Sequence, residues 1–207
     1  MYSQNNEDDV YLKFFDNFNN GVLVEIGAYD SKTFSNSRGL IERGWKAYLV
    51  DASPYCVSKL YDAYRENHNV YLIQGLITET KHDGLIPFYD SPGSAISSMD
   101  QSKVRAWYPD EAVFNNTCKE IFMETTPLKN LISLVKKREG DIHFLSIDVE
   151  GFSAELSMML DFDQILPSCI CIEHDSKVSM IMEKYGKHYN VAHHNGENLI
   201  LIKKLTT

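Results

Sequence analysis

Five short apolar runs constrain the fold of this chain more than any other feature, because stretches with helical periodicity separate them. They lie at residues 22–28, 46–52, 69–77, 142–151 and 168–175. Each run is rich in Val, Ile, Leu and aromatic residues, as is typical of buried strands. Strands that alternate with helices pair in parallel through right-handed crossovers. We therefore predict an α/β fold with a mostly parallel sheet that helices cover on both faces.

Two further extended runs close the sequence. They span residues 189–195 and 197–204 and meet at Asn195-Gly196. An Asn-Gly pair between extended runs is a strong signal for a β-hairpin. We therefore predict a seven-stranded sheet in which this C-terminal hairpin supplies an antiparallel edge.

Two of the predicted helices begin with the same pair of residue types. Ser53 precedes Pro54, and Thr126 precedes Pro127. A hydroxyl side chain caps the free N–H groups of a first turn, and proline fits the first helical position because no backbone donor is needed there. We expect Ser53 and Thr126 to cap these helices.

The segment at about 88–125 interrupts the alternation of strands and helices. It is rich in Ser, Asp, Asn and aromatic residues and is long for a simple connection. Segments of this kind are usually binding loops or lids. We predict that it is an insertion or lid within a single domain spanning residues 1–207. Its candidate ligand contacts are the serines of 91–98 and the side chains of Lys103, Trp107 and Tyr108.

The net charge of −9 over 207 residues argues against a broad basic face for nucleic acid or an anionic membrane. No apolar run reaches the roughly 18 residues of a membrane span, and the polar, acidic N-terminus does not resemble a signal peptide. The cysteines are Cys56, Cys118, Cys169 and Cys171, without a CxxC pair. We expect buried thiols rather than a zinc or redox site, and a reduced, cytoplasmic setting. The oligomeric state is left open.

Acidic residues stand where the predicted strands end. Ligands of open α/β sheets bind beyond the carboxyl ends of the strands, so these residues should gather at one edge. In chain order the strand ends supply Glu25, Gly27, Asp30, Asp51, Ser53, Gln74, Gly75, Leu76, Asp148, Glu150, Glu173, His174 and Asp175. The sequence therefore predicts a ligand site rich in carboxylates.

The glycine pattern indicates which ligand suits such a site. Neither GxGxxG after the first strand nor GxxxxGK[ST] occurs, so a phosphate cradle is missing. Asp51 follows Gly27 by roughly the 20 residues at which an acid meets ribose hydroxyls in dinucleotide sites. S-adenosylmethionine has a ribose diol, an ammonium group, a sulfonium and no phosphate. We predict it as the cosubstrate, with Gly27 allowing close approach of the backbone.

Three stretches, "SQNNEDDVYL", "VEIGAYDSKTFSNSRGLIERGWKAYLVDASP" and "FLSIDVEGFSAEL", together resemble the FkbM-type S-adenosylmethionine-dependent methyltransferases in order and spacing. The resemblance implies a Rossmann-like class I methyltransferase fold. It also implies transfer of the sulfonium methyl group to an acceptor oxygen, often on a sugar or a natural product. In two places the chain departs from the family pattern: Asp51 is one methylene shorter than the usual Glu, and the second Glu of the "ID-x-EG-x-E" block is displaced to Glu155.

The strand ends and the resemblance together give one set of expected cosubstrate-binding residues. They are Gln4, Glu25, Gly27, Ala28, Asp30, Asn36, Asp51, Ser53, Gly75, Leu76 and Asp148, of which Gln4, Ala28 and Asn36 enter only through the resemblance. The resemblance sets Glu25 and Gly27 beside the methionine moiety, Asp51 on the ribose diol and Asp148 near the reacting centre.

Catalysis is assigned to Asp148, Glu173 and His174. Histidine has an ordinary pKa near 6.5, which suits removal of a proton from an attacking hydroxyl. Glu150 is either a ligand contact or base, or the cap of the following helix. A divalent metal on Asp148 and Glu173 is an alternative that we do not favour.

We therefore expect a methyltransferase that acts on a hydroxyl of a sugar, a glycan or another small molecule. Two alternatives stay open. One is a Rossmann-like binding module without turnover, because a fold alone does not establish chemistry. The other is a metal-dependent O-methyltransferase.

Overall fold

The computed structural model describes residues 1–205. In chain order its elements are α1 (Glu7–Phe14), β1 (Val22–Ile26), α2 (Arg38–Glu42), β2 (Lys46–Asp51), α3 (Pro54–Tyr64), β3 (Val70–Gln74), β4 (Leu76–Thr78), β5 (Ile86–Asp90), α4 (Gln101–Trp107), α5 (Glu111–Thr117), β6 (Lys119–Met123), β7 (Thr125–Pro127), α6 (Leu128–Glu139), β8 (Phe144–Ile147), α7 (Ser153–Ser157), β9 (Cys169–Glu173), α8 (Val178–Tyr185), β10 (Tyr189–His194) and β11 (Asn198–Lys203). Strands and helices alternate through most of the chain, as predicted.

The main sheet has seven strands in the order β10-β11-β9-β8-β1-β2-β3. The five strands from β9 to β3 are parallel, and β11 runs antiparallel to both β9 and β10. The predicted α/β fold and mostly parallel sheet are confirmed. The predicted C-terminal hairpin is confirmed, and it supplies the antiparallel pairing at one edge of the sheet. Its second strand, β11, lies inside the sheet, and β10 forms the edge, parallel in direction to β9.

The third apolar run is broken rather than continuous. β3 ends at Gln74, and β4 leaves the main sheet to pair in parallel with β7. Gly75 lies between them, and its N–H donates to the Asp51 carbonyl oxygen over 2.9 Å. The break therefore turns the chain beside the carboxyl end of β2.

The two predicted helix caps have different outcomes. The Ser53 side chain accepts a hydrogen bond from the Cys56 N–H over 3.4 Å, and Pro54 is the first residue of α3, as predicted. Thr126 lies in β7, and Pro127 occupies the cap position of α6 without a side-chain hydrogen bond. The prediction for Thr126 was wrong because its neighbours pair with β4 before the helix begins.

Two apolar layers enclose the main sheet. Side chains of α6, α7 and α8 pack on one face, and those of α1, α2 and α3 pack on the other. The burial of β1 on both faces follows from this double cover, because a strand between two helical layers exposes neither face. The four cysteines are buried and free, as predicted. Within residues 1–205, no helix combines the length and the apolarity needed to cross a membrane.

An aromatic cluster closes the amino ends of the central strands. Trp45 is fully buried and contacts Phe15, Phe18 and His143. Its indole N–H donates to the Phe18 carbonyl oxygen over 3.3 Å. The His143 Nδ1 accepts from the backbone N–H of Val22 over 3.1 Å. The polar atoms buried in this cluster therefore have partners.

The segment between β4 and β7 folds as a small unit of its own. β5 pairs antiparallel with β6, and α4 and α5 lie between them in sequence. Val104, Phe114 and Cys118 form its buried core. The Ser98 hydroxyl donates to the Glu150 carbonyl oxygen over 2.9 Å, which ties the segment to the loop after β8.

Candidate functional site

A cleft opens at the carboxyl ends of the parallel strands, with the β5–β6 segment on its far side. Its empty space is about 840 Å³, counting the part open to solvent. Among the predicted cosubstrate residues, those that line it are Gln4, Gly27, Asp51, Gly75, Leu76 and Asp148. The cleft therefore lies where the predicted strands end.

Gly27 lets β1 pass directly beside the end of β8. Its φ is +85°, and a Cβ at this position would lie 1.5 Å from the Asp148 carbonyl oxygen. The Gly27 N–H donates to the Val50 carbonyl oxygen over 2.8 Å. No larger residue fits without moving the backbone, so glycine is required for the close approach of the two strand ends.

Asp51 holds the loop between β1 and α2 against the end of β2. One carboxylate oxygen accepts from the Tyr29 N–H and the other from the Ser53 N–H, each over 2.8 Å. Burial raises the pKa of Asp51 to about 6, with a contribution from Asp90, against the lowering effect of the two N–H donors. Each oxygen keeps a further lone pair for a ligand hydroxyl.

Glu25 lies beneath the cleft rather than in its wall. The side chain is buried in the sheet, and Oε1 accepts from the Asn36 N–H over 2.9 Å. The other oxygen, Oε2, is buried without a hydrogen-bond partner. Burial raises the pKa of Glu25 to about 7, opposed by hydrogen bonds from Ser37 and Asn36. Glu25 therefore acts on the cleft indirectly, through the loop that it anchors.

Three carboxylates meet at one end of the cleft. Oxygens of Asp148, Glu150 and Glu173 all lie within 4.8 Å of one another. The Ser153 hydroxyl donates to Glu173 over 2.7 Å. Burial, followed by repulsion from Glu173, raises the pKa of Asp148 well above its ordinary value. Carboxylates this close cannot all be ionised in a buried setting, so the acidic triad of Asp148, Glu150 and Glu173 carries a proton or attracts a cation.

Glu150 lies in the cleft wall on a tightly held turn. Its φ is +37°, in the left-handed region that residues with a side chain rarely adopt. The next residue, Gly151, also has a positive φ, and a Cβ there would lie 2.8 Å from Cε of Lys103. Burial, followed by repulsion from Glu173, raises the pKa of Glu150 to about 8. Strained backbone of this kind clusters at functional sites.

His174, predicted as a general base, does not line the cleft. Its Nδ1 accepts from the Ser176 N–H over 3.0 Å, and its Nε2 lies 3.1 Å from the Asn195 carbonyl oxygen. Both ring nitrogens are therefore occupied by the backbone, which leaves none for an acceptor hydroxyl. The contacts fit a residue that fixes the loop after β9 to the β10–β11 turn.

Several other predicted residues support the cleft from outside. The Ala28 N–H donates to the Val50 carbonyl oxygen over 3.1 Å, and Asp30 accepts from the N–H groups of Lys32 and Thr33. Asn36 donates to Glu25, and Ser53 caps α3. The displaced family residue Glu155 pairs with Lys177. These residues shape the loops that end in the cleft.

Gln4 reaches the cleft from the N-terminal segment. Its side-chain amide donates to Glu197 over 3.3 Å, and Asn5 donates to the same carboxylate over 2.8 Å. Glu7 accepts from Asn198 in β11 over 2.8 Å. The N-terminal segment is therefore held against the end of the sheet by polar contacts, and Gln4 is part of the cleft lining.

The β5–β6 segment supplies cleft residues that the sequence left unassigned or placed only loosely. They are Phe88, Ser94, Ala95, Ser97, Ser98 and Met99. The serines had been expected as ligand contacts, whereas Phe88 and Met99 carried no signal. Trp107, expected in an acceptor pocket, is 67% exposed and does not line the cleft. Tyr108 bonds to the Ser91 hydroxyl over 2.9 Å.

The charge of the cleft limits the ligands that fit it. Among the described residues 1–205, no Lys, Arg or His lines it, whereas three carboxylates do: Asp51, Asp148 and Glu150. A ligand with bare phosphates would be repelled there. Hydroxyls and a positive charge would find hydrogen-bond acceptors and opposite charge.

Comparisons with known proteins bear on the family and the fold of the chain. A family model described as "Methyltransferase FkbM domain" matches residues 25–199. In sequence, no curated protein matches the chain. The crystal structure of methyltransferase FkbM from Methylobacillus flagellatus KT is similar to it, with 9% identity and a TM-score of 0.52, over 88% of this chain and 43% of that one. Wild-type Trm5b from Pyrococcus abyssi has 10% identity and a TM-score of 0.40, over 92% of this chain and 46% of that one. The chain thus spans less than half the length of these solved proteins.

Proposed function

We propose that this chain, which belongs to the FkbM methyltransferase domain family, transfers a methyl group from S-adenosylmethionine to a hydroxyl of a sugar, a glycan or another small molecule. The observation that carries the proposal is the pairing of Gly27 and Asp51 in a cleft that Asp148 and Glu150 also line, and that no Lys, Arg or His within residues 1–205 lines. A nucleoside with a diol and a cationic amino-acid tail is the ligand that this combination suits best.

The chain's own residues can hold each part of the cosubstrate. The carboxylate of Asp51 accepts two backbone N–H groups and keeps lone pairs for the ribose hydroxyls. Gly27 leaves room that a Cβ would fill. Gly75 and Leu76 form the wall beside Asp51, where the base would lie. The acidic triad would receive the ammonium group, and charge-assisted hydrogen bonds of this type are the stronger kind.

The bound cosubstrate supplies an electrophilic methyl group. The protein's part is to align the acceptor hydroxyl, exclude water and accept the hydroxyl proton. Glu150 lies in the cleft wall, and its raised pKa suits a base at neutral pH. We assign proton acceptance to Glu150, whereas Asp148 would contact the ammonium group and His174 holds the loop after β9.

The acceptor would enter between the acidic triad and the β5–β6 segment. Ser94 and Ser97 line that side of the cleft, and hydroxyls beside apolar groups such as Phe88 suit a sugar. We propose that the segment at about 88–125 covers the bound molecules, with the Ser98–Glu150 hydrogen bond as its attachment to the catalytic turn.

Titration calorimetry with S-adenosylhomocysteine tests the cosubstrate site. Asp51→Ala should weaken binding by about tenfold or more, because a lost charge-assisted hydrogen bond contributes about 1.5–3 kcal/mol. Asp62→Ala removes an exposed carboxylate in α3 and is the matched control. Binding by Asp51→Ala within twofold of the parent protein would remove Asp51 from the site.

Turnover separates an enzyme from a binding module of the same fold. The protein is incubated with methyl-labelled S-adenosylmethionine and an extract of the source cell, and label in a glycan or small-molecule fraction is expected. Tight binding of S-adenosylhomocysteine with no label in any fraction would favour the module without turnover.

The acidic triad also supports the metal-dependent alternative. Three carboxylates within 4.8 Å of one another provide the oxygen ligands that Mg²⁺ and Ca²⁺ prefer. Methyl transfer measured in EDTA, and again after addition of Mg²⁺, distinguishes the schemes. The metal-free scheme predicts equal rates under both conditions.

A further inference from the structure

One edge of the main sheet is open in the part of the chain that the structure describes. β3 is the terminal strand and pairs only with β2. Its sequence, VYLIQ, contains no proline or charged residue. Natural edge strands are commonly protected by such residues, by bulges or by a covering element. An edge without them is a surface for pairing with another strand.

The hydrogen bonds of β3 identify the backbone groups that point outward. Ala47 N–H donates to the Asn69 carbonyl oxygen, and Gly75 N–H donates to the Asp51 carbonyl oxygen. In a parallel ladder, alternate residues of a strand bond to the same neighbour. Residues 69, 71, 73 and 75 therefore face β2. The N–H and C=O groups of Leu72 and Gln74 point away from the sheet.

A groove flanks this edge, with α3 on one side and α6 on the other. Its lining residues are Tyr48, Tyr61, Tyr64, Arg65, Asn67, His68, Val70, Tyr71, Leu72, Ile73, Leu134 and Arg138. Tyr61 is 59% exposed and Leu134 is 47% exposed. Large apolar side chains exposed beside an open edge give an added strand something to pack against on both of its faces.

The charge of the groove is opposite to that of the whole protein. Arg65, His68 and Arg138 line it, and no Asp or Glu among residues 1–205 does, although the net charge is −9. The nearest acids are otherwise engaged or exposed. Glu139 binds Lys46 and the Tyr48 hydroxyl. Glu66 is 92% exposed, 3.8 Å from Arg65, a contact that contributes little.

We propose that the β3 edge is a docking site for an extended, acidic segment of a partner protein, which pairs with Leu72 and Gln74 as an added strand. Alternate side chains of that segment face α3 and α6, and the carboxylates on the α6 side meet Arg138. A second copy of this chain is a poorer occupant, because two-fold pairing would bring the same cations together. The proposal is independent of the methyltransferase assignment.

The test uses a fluorescein-labelled peptide of alternating valine and glutamate, with anisotropy as the readout. We expect saturable binding, and about tenfold weaker binding or more by Arg138→Glu. Lys137→Glu is the matched control, because it makes the same charge change on the neighbouring residue of α6, outside the groove, and should change affinity less than twofold. The same peptide with lysine in place of glutamate should not bind.

Hydrogen exchange of the complete protein tests strand addition separately. The peptide should slow exchange of the Leu72 and Gln74 amides, a change that ionic attraction alone would not produce. Three results overturn the proposal: equal binding to Arg138→Glu, unchanged exchange at both amides, or no binding up to about 1 mM peptide. Sedimentation of the free protein as a dimer, with both amides already protected, would instead assign the edge to a second copy.

Discussion

The amino and carboxyl ends of the strands in the main sheet differ in whether their buried polar groups have partners. At the amino ends, Trp45 is fully buried among aromatic rings, and its N–H has a carbonyl partner. At the carboxyl ends, Glu25 has a buried oxygen without a partner, and the acidic triad is compressed within 4.8 Å. The first end contributes apolar burial and satisfied polar groups to folding. The second retains groups that are costly to bury: the acidic triad, which a cationic ligand would satisfy, and Glu25, which holds the loop beside the cleft.

This difference predicts that mutations at the two ends of the strands affect different properties of the protein. Changes at the amino ends should alter the free energy of unfolding and leave cosubstrate affinity of the folded protein unchanged. Changes at the carboxyl ends should alter affinity, and some of them should stabilise the free protein. Four substitutions test whether stability and affinity depend on different ends of the strands, and they follow in order of decreasing effect.

Gly27→Ala should have the largest effect, on both affinity and stability. The added Cβ would lie 1.5 Å from a backbone oxygen, so the ends of β1 and β8 must separate. We expect S-adenosylhomocysteine affinity to fall by about 100-fold or more, and unfolding free energy by about 4 kcal/mol, at the extreme of single substitutions. Calorimetry and urea unfolding measure the two quantities.

Gly44→Ala is the control for Gly27. Its φ is +84°, nearly the same, but nothing lies within 4 Å of the added Cβ. Only the backbone penalty remains, about 1 kcal/mol, with unchanged affinity. Equal effects of the two substitutions would show that backbone conformation, rather than the contact with Asp148, explains Gly27.

Trp45→Ala tests the amino end. Removing this buried ring should lower the unfolding free energy by about 3–5 kcal/mol, measured by urea denaturation. Affinity for S-adenosylhomocysteine, corrected for the folded fraction, should stay within twofold. A large loss of affinity in the folded protein would break the division between the two ends.

Glu25→Gln tests the unpartnered carboxyl through pH. Because burial raises the pKa of Glu25 from 4.5 to about 7, the folded state binds the proton more tightly than the unfolded state. Stability is therefore lost as pH rises through this window, by up to ~3 kcal/mol at ~1.4 kcal/mol per unit. The parent protein should lose stability between about pH 4.5 and pH 7, the window set by these two pKa values, and the Gln variant should lose less. Parallel curves for the two proteins, measured by urea unfolding across pH, would contradict this assignment.

His174→Ala should have the smallest effect. It removes two hydrogen bonds to backbone groups, from Ser176 and to Asn195, at a cost of about 1–3 kcal/mol. The pH profile of methyl transfer should keep its shape, because His174 holds no proton of the reaction. Loss of one limb of that profile in the variant would restore His174 as the base.

Local signals in the sequence predicted much of this architecture. Apolar runs gave the strands, Pro54 after Ser53 gave the start of α3, and Asn195-Gly196 gave the hairpin. Each of these signals depends on neighbouring residues alone. The position of β11 between β9 and β10 cannot be predicted from neighbouring residues. A turn sequence joins two strands but does not determine which of them pairs with the rest of the sheet.

The candidate site was predictable as a region and less so as a set of contacts. Strand ends brought Gly27, Asp51 and Asp148 together at one edge. Alternation along a strand could not tell that Glu25 turns beneath the cleft, since β1 is buried on both faces. The Nε2 of His174 contacts the carbonyl oxygen of Asn195, which lies in a distant loop, and no sequence pattern near position 174 predicts that contact.

The position of β11 has a consequence for how the protein is made. Residues 198–203 pair with both β9 and β10, and Asn198 also bonds to Glu7 in the first helix. During synthesis on the ribosome, the nascent sheet therefore lacks an internal strand until these residues leave the exit tunnel. A message truncated just before them would leave β10 without the strand that joins it to β9.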